Sequence, residues 1–256
     1  MSPIAISLIT LAITFGGTLL GMFLRTLLNE QHLSADSRDV MKLGTGMIAT
    51  MAALVLSLLI GSAKGTFDTM NSGLKQASLK ILLLDRTMAQ YGPETREARD
   101  ILRRSVITTI QRIWPADKTT VMLDKGALTG SRIENLEEKL RQLSPRNDDQ
   151  HGLQSQALQL TDEMNQTRLL LIQQVGQQSF PMPLLVLLVS WLTIIFFNFG
   201  LLTFRNTTVM AVLFVCALVA ASSLFLILEL DQPFGGLIKI SSAPLRDALA
   251  HLGVVP

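Results

Sequence analysis

Few residues in this chain are of a kind that performs covalent chemistry, and none is grouped for it. His32, His151 and His251 lie far apart, and none belongs to an H-E-x-x-H motif. No G-x-S-x-G elbow occurs. The single cysteine, Cys216, allows neither an intramolecular disulfide nor a thiolate metal site. Gly44-Thr-Gly46-Met-Ile-Ala49 fits the G-x-G-x-x-A dinucleotide fingerprint. That fingerprint works only as a strand-to-helix turn with an acid about 20 residues on. Here a charged loop precedes it and an apolar segment follows, so its small residues read as packing positions. The sequence therefore predicts a protein that is not an enzyme, with no catalytic residue, no metal site and no cofactor.

What remains is the chemistry of fixed charges and small polar groups. Arg96, Arg99 and Arg103 recur at i, i+3 and i+7, with Arg104 beside them. They read either as a solvated helix face or as an anion-attracting stripe near a vestibule. Arg38 lies in Asp36-Ser37-Arg38-Asp39, which reads as a helix start, with Asp36 as the N-cap and acids in the first turn. The second reading makes Arg38 an anion-entry residue. Ser7, Thr10, Thr14, Gly17 and Gly21 fall at three-and-four spacing. They form either a helix-packing seam, with Gly17-x-x-x-Gly21 as its small-xxx-small core, or a polar strip along a water or ion path. Glu229 and Asp231 stand at the C-terminal end of an apolar run, where a helix dipole disfavours anions. Lys64 is the expected partner, giving a structural clamp.

The elements that would position these residues are helices in a membrane. Of 256 residues, 48% are hydrophobic and 16% charged, against about a quarter charged in a soluble domain. A spanning helix needs about 20 mostly apolar residues. Four runs qualify: residues 4–24, 43–63, 183–204 and 207–228. Unpaired backbone groups are too costly in lipid, so each run must be helical. The first lacks a basic n-region and a small-x-small cleavage site, so it reads as an uncleaved span. No ionisable residue sits near the centre of any span, which removes the usual mark of a proton relay or coupled pump. With four spans, the termini share one side with residues 64–179. Lys64, Lys75, Lys80, Arg168, Lys239 and Arg246 on that side outnumber Arg25, Arg38, Lys42 and Arg205 on the other, which predicts cytoplasmic termini. Net charge is only +2, so nothing suggests a nucleic-acid partner.

The expected architecture is an all-α integral membrane protein. Its four transmembrane helices carry a helical cytosolic domain, residues 64–179, between spans two and three, and residues 229–256 form a C-terminal cytosolic segment. Span two continues into the soluble domain as a heptad seam: Ala49, Ala53, Leu56, Ile60, Ala63, Phe67, Met70, Leu74, Ala77, Ile81, Leu84, Met88 and Tyr91. The spacing predicts one helix of 45 to 50 residues, stopped by Gly92-Pro93. Further helices are expected from Pro93 to Trp114, from Ser131 to Leu143 behind a Ser131–Glu134 capping box, and from Gly152 to Gln178. Ser144–Asp149 reads as a loop. Gly46, Ala49, Ala53, Ser57 and Gly61 give span two a small face. Such faces let helices approach closely in lipid, which predicts a homo-oligomer packed through spans one and two.

Three blocks of sequence resemble the bestrophin-like domain family of bacterial membrane proteins. They are His32-Leu-Ser34-Ala-Asp36-Ser37-Arg38-Asp39-Val-Met-Lys42-Leu-Gly44-Thr-Gly46, Tyr91-Gly-Pro-Glu-Thr-Arg-Glu-Ala-Arg99, and Asp231-Gln-Pro233-Phe234-Gly235-Gly236-Leu-Ile-Lys-Ile-Ser241. Pro233-Phe234-Gly235 is also similar to a motif of true bestrophins, which are pentameric anion channels. The resemblance implies a pentamer in the bacterial inner membrane that passes small anions. Bestrophins carry an aromatic neck on span two and an acidic calcium clasp; residues 43–63 hold no aromatic residue and no matching acidic run occurs. A channel of this kind would lack calcium gating. Leu56 and Ile60, with Ser57, Thr10 and Thr14, are then the candidates for a path and a constriction that closes by dewetting. The alternative is a structural or signalling membrane scaffold with no transport activity.

Overall fold

The computed structural model describes residues 2–28, 35–114, 131–177, 182–203 and 206–252. His32, Ser34, Arg205 and the connection from Pro115 to Gly130 lie outside them, as does the side chain of Ser131 in the expected capping box. Eight α-helices are described: α1 Pro3–Leu27, α2 Ala35–Tyr91, α3 Arg96–Ile113, α4 Ser131–Arg141, α5 Asp148–Gln177, α6 Met182–Leu202, α7 Thr207–Leu230 and α8 Ala243–His251. Four of these, α1, α2, α6 and α7, are long and apolar enough to cross a membrane.

Local chemistry sets the ends. Ser2 caps α1 by accepting from the Ala5 N–H, and Pro3 occupies the first turn, where its missing donor costs nothing. Asn206 caps α7 by accepting from the Thr208 N–H. The helix α2 is longer than the spacing suggested, at 57 residues, because it already begins at Ala35. Asp36 therefore lies inside the first turn and acts on the dipole, where the sequence suggested an N-cap. An i, i+3 pair between Asp39 and Lys42 (2.9 Å) supports this added stretch. The helix runs unbroken through Gly65 and Gly73 and stops at Gly92, whose φ of 134° is open to glycine and strained for other residues. Pro93–Thr95 then form one 3₁₀ turn, so α3 starts at Arg96 rather than at the proline. The Thr95 hydroxyl donates back to Met88 O (2.6 Å) and closes that corner. The helix α5 begins at Asp148, inside the expected loop, because the Asn147 side chain accepts from the Gln150 N–H and two acids fill the first turn.

The chain divides into two compact units, and the division falls within α2. The first unit comprises Met1–Phe67 and Ser179–Gln232. Its core is Leu188, Leu192, Leu224 and Ile227, from α6 and α7, with Val55, Leu56, Leu59, Ile60 and Ala63 of α2 packed against it. Helices α1 and α6 run parallel, since Gly17 faces Thr193 and Gly21 faces Phe197 and Leu201. At Gly21 and Gly200 a Cβ would strike backbone of the opposite helix, the Phe197 and Thr18 carbonyls respectively. Glycine is therefore required at both. Phe15 of α1 and Phe214 of α7 meet edge to face at 5.2 Å. Lipid tails are as apolar as these side chains, so close packing and not water exclusion holds the spans together.

The second unit comprises Asp68–Gln178 and Pro233–Pro256, so the C-terminal segment joins the inserted domain. This unit has its own buried apolar core. Met70, Leu74, Ile81, Leu84, Met88 and Tyr91 of α2 are buried, as are Ala98, Leu102, Val106 and Ile110 of α3. Each large side chain contributes about 1.5–3 kcal/mol. Helix α5 lies antiparallel to α2: Gly73 faces Leu171, Lys80 bonds Glu163 and Thr167, and Gln150 donates to Tyr91 O.

Candidate functional site

The hydroxyl strip of α1 is closed to solvent. Ser7, Thr10, Thr14 and Thr18 are all buried, and each hydroxyl donates to a carbonyl of its own helix one turn back, at 2.8–3.3 Å. A serine or threonine bonded this way satisfies its donor internally. Gly17 and Gly21 continue the strip into the close approach with α6. In the single chain the strip is thus a packing seam.

Helix α2 presents two different faces. Thr45, Ala52, Val55, Leu56, Leu59, Ile60 and Ala63 turn inward; Leu56 and Ile60 engage the α6–α7 core. Thr45 is fixed by accepting from the Asn198 amide of α6 (3.1 Å) while donating to Met41 O. The opposite face holds Met47, Met51, Leu54 and Leu58, 58–73% exposed, together with Gly46, Ala53, Ser57 and Gly61, all exposed. Ala49 stands between the two faces, half-buried. A Cβ at Gly46 or Gly61 would meet nothing within 4 Å. The small residues read as a packing face are accordingly uncovered within one chain.

The charged residues fare unequally. Arg96 and Arg103 are exposed on α3. Arg99 is half-buried and donates from Nε and Nη2 to the two carboxylate oxygens of Asp85, at 2.7 and 2.9 Å. The hydrogen bond to Asp85 outweighs burial and holds the guanidinium above its ordinary pKa. Its charge is matched on the spot, which takes it out of an anion-attracting stripe. Arg38 is half-buried near the start of α2, close enough to Arg25 for the two charges to interact. Lys64 is exposed, its ammonium 5.5 Å from the Phe67 ring centroid. Glu229 is only 2% exposed, and Asp231 is half-buried as the C-cap of α7. Cys216 is an exposed free thiol, and among the described residues no three His, Cys, Asp or Glu are grouped to hold a metal.

Sequence reasoning missed two features. One is the Asp85–Arg99 pair; its signal was an acid lodged beside Leu84 on the buried seam. The other joins the C-terminal segment to α3. The Trp114 indole N–H donates to Ile240 O (2.9 Å), and its ring meets Phe234 edge to face at 5.7 Å. The Ile240 N–H donates in turn to Pro233 O (2.8 Å), closing the loop that begins at Pro233-Phe234-Gly235.

Comparison with known proteins agrees with this architecture. Residues 12–245 match the family model described as the bestrophin-like domain. The fold matches a crystal structure of a bacterial bestrophin homologue from Klebsiella pneumoniae, a point mutant, with a TM-score of 0.65. The match covers 96% of this chain and 97% of the other at 14% identity. No match was found among curated proteins.

Proposed function

Because the chain belongs to the bestrophin-like family, we propose that it is a homo-oligomeric membrane channel, a pentamer, which passively conducts small anions without calcium gating. The observation that carries the reading is the family fold over nearly the whole chain, combined with an α2 face that one chain leaves uncovered. Neighbouring copies would bury the small residues Gly46, Ala49, Ala53 and Gly61 and enclose a path beside Ser57. Since Leu56 and Ile60 are engaged with the α6–α7 core, the constriction passes to Leu54 and Leu58, one turn apart and exposed. A ring of such side chains closes a pore by dewetting. Arg38, Arg96 and Arg103 would raise the local anion concentration at the two mouths, an effect salt screens.

The membrane would be the bacterial inner membrane, with the termini and the second unit in the cytoplasm, as the excess of basic residues on that side favours. Reporter fusions after Pro145 and Pro256 should then both read cytoplasmic. Lys64 would clamp Glu229 and Asp231, since a buried carboxylate needs a compensating charge or hydrogen bonds; reduced thermal stability of Lys64→Met checks this.

The deciding experiment is reconstitution in a planar bilayer under a chloride gradient. The reading requires a reversal potential near the chloride value and a conductance altered by Leu58→Ala and Leu58→Asp. Ile60→Ala should act on stability instead. A wild type that is oligomeric yet electrically silent across pH and voltage would return the protein to a structural or signalling scaffold.

A further inference from the structure

Helix α7 does not release the chain at once. The Asp231 N–H still donates to Ile227 O and the Gln232 N–H to Glu229 O, each at 3.1 Å. A second closure begins at Pro233, whose carbonyl accepts from the Ile240 N–H at 2.8 Å. Between these two residues lie Leu237, Ile238 and Lys239, all exposed. Leu237 is 74% exposed, more than any other large apolar side chain among the described residues. We infer that this loop is a lipid-anchoring site, in which Leu237 and Ile238 enter the headgroup layer beside α7 and Lys239 meets phospholipid phosphate.

Three properties choose that partner. The first is reach. The sequence is apolar up to Leu228, and α7 ends at Leu230. Pro233 follows directly on the bonded last turn, so both ends of the loop hang from the edge of the apolar run. The backbone of Leu237 then lies no more than about 14 Å from Pro233, at 3.6 Å per residue. The polar layer of a bilayer is about 5–8 Å deep on each side, within reach of a side chain so tethered.

The second is rigidity. Phe234 and Ile240 are buried, the Trp114 indole N–H holds Ile240 O, and Gly236 turns the chain with a φ of 65°. The apolar pair is thus held out by a loop already fixed at both ends. Such a loop loses little conformational freedom on entering a bilayer.

The third is area and charge. With Leu237 mostly exposed and Ile238 36% exposed, the apolar surface on offer is on the order of 100 Å². A stable protein interface takes about 800 Å² from each partner. The exposed neighbours Gln232, Gly236 and Ser241 add only polar groups and bare backbone. That is too little for a second copy, whereas a membrane surface binds in proportion to whatever apolar area enters it. Lys239 supplies the matching charge, since phospholipids present phosphates and anionic lipids attract a nearby lysine further.

The inference needs α7 to cross a bilayer and nothing about conduction, so an electrically silent protein leaves it standing. The test uses the full chain carrying Cys216→Ser, with a nitrobenzoxadiazole dye on Leu237→Cys or, separately, on Ile238→Cys. The protein is placed in vesicles of phosphatidylcholine and phosphatidylglycerol in equal parts, with a nitroxide on some of the headgroups. Both labels should be quenched several-fold more than one on Gln90→Cys, which is exposed near the other end of α2. Adding Lys239→Glu should weaken quenching of the Ile238 label, and less so in phosphatidylcholine alone. Quenching at both loop positions no greater than at Gln90 overturns the assignment. So does blue-shifted emission that the nitroxide leaves unquenched, with energy transfer between labelled chains, which would give the loop to a second copy.

Discussion

Asp85 of α2 and Arg99 of α3 are joined by two parallel hydrogen bonds across the Gly92 corner, with side-chain exposures of 5% and 15%. A planar guanidinium matched to a carboxylate in this way fixes orientation as well as distance. The pair sets how α3 folds back on α2. Removing one partner strands the other charge. Asp85→Ala or Arg99→Ala is therefore expected to cost about 3–5 kcal/mol. Replacing both at once, as Asp85→Leu with Arg99→Met, should recover most of it. Denaturant unfolding followed by the fluorescence of Trp114 in a Trp191→Phe background measures this; additive losses in the double variant would mean the pair is not the cause.

The α1–α6 contact leads to a sharper contrast between neighbouring glycines. A methyl at Gly21 runs into the Phe197 carbonyl, whereas Gly16 faces open space. Gly21→Ala should lower stability by about 1–3 kcal/mol through overpacking, and Gly16→Ala should change it little. Thermal melts in detergent distinguish the two. Equal melting temperatures would show that the helices can separate at that point without cost.

The uncovered face of α2 makes a prediction about mass. Ala53 is exposed on that face, and a larger side chain there holds neighbouring helices apart. Ala53→Leu should lower the oligomer mass measured by light scattering in mild detergent. Leu187→Ala, on the exposed side of α6, should not. A monomeric wild type would remove the basis for a shared pore.

Tyr91 gives a dependence on pH. It is 4% exposed, and its hydroxyl has no hydrogen-bond partner among the described residues. Burial, and then the nearby Glu94, push its pKa above the usual value of 10.0. The folded state therefore keeps this proton more tightly than the unfolded chain. That contribution to stability is complete below the unfolded pKa and is lost as pH rises toward the folded one. Stability should fall above about pH 10, the ordinary tyrosine value. Tyr91→Phe should blunt that fall and at pH 7 be neutral or stabilising, by up to about 1–3 kcal/mol, because it removes an unpaired buried hydroxyl. A clear loss of stability at pH 7 would reveal a bound water at the hydroxyl.

The sequence by itself determined the four apolar helices, the continuation of the second one beyond its apolar run and its stop at Gly92-Pro93. Each rests on a property of consecutive residues: an apolar run long enough for the hydrocarbon, a heptad repeat, a glycine followed by proline. It also located the residues of the buried seam in the second unit, because in water an apolar stripe must face a core. The tertiary structure alone decided which side of α2 meets α6 and α7, turning Leu56 and Ile60 inward and Leu54 and Leu58 outward. In lipid both faces of the second span are apolar, so its hydropathy carries no record of which one has a protein neighbour. The tertiary structure likewise decided the fate of Arg99, since helical spacing places a charge on a face but cannot say that Asp85, fourteen residues earlier on another helix, will lie 2.7 Å away. The joint of Trp114 with Phe234 and Ile240 has the same origin. Partners separated by more than a hundred residues are chosen by the packing of whole elements, and no local pattern encodes that choice.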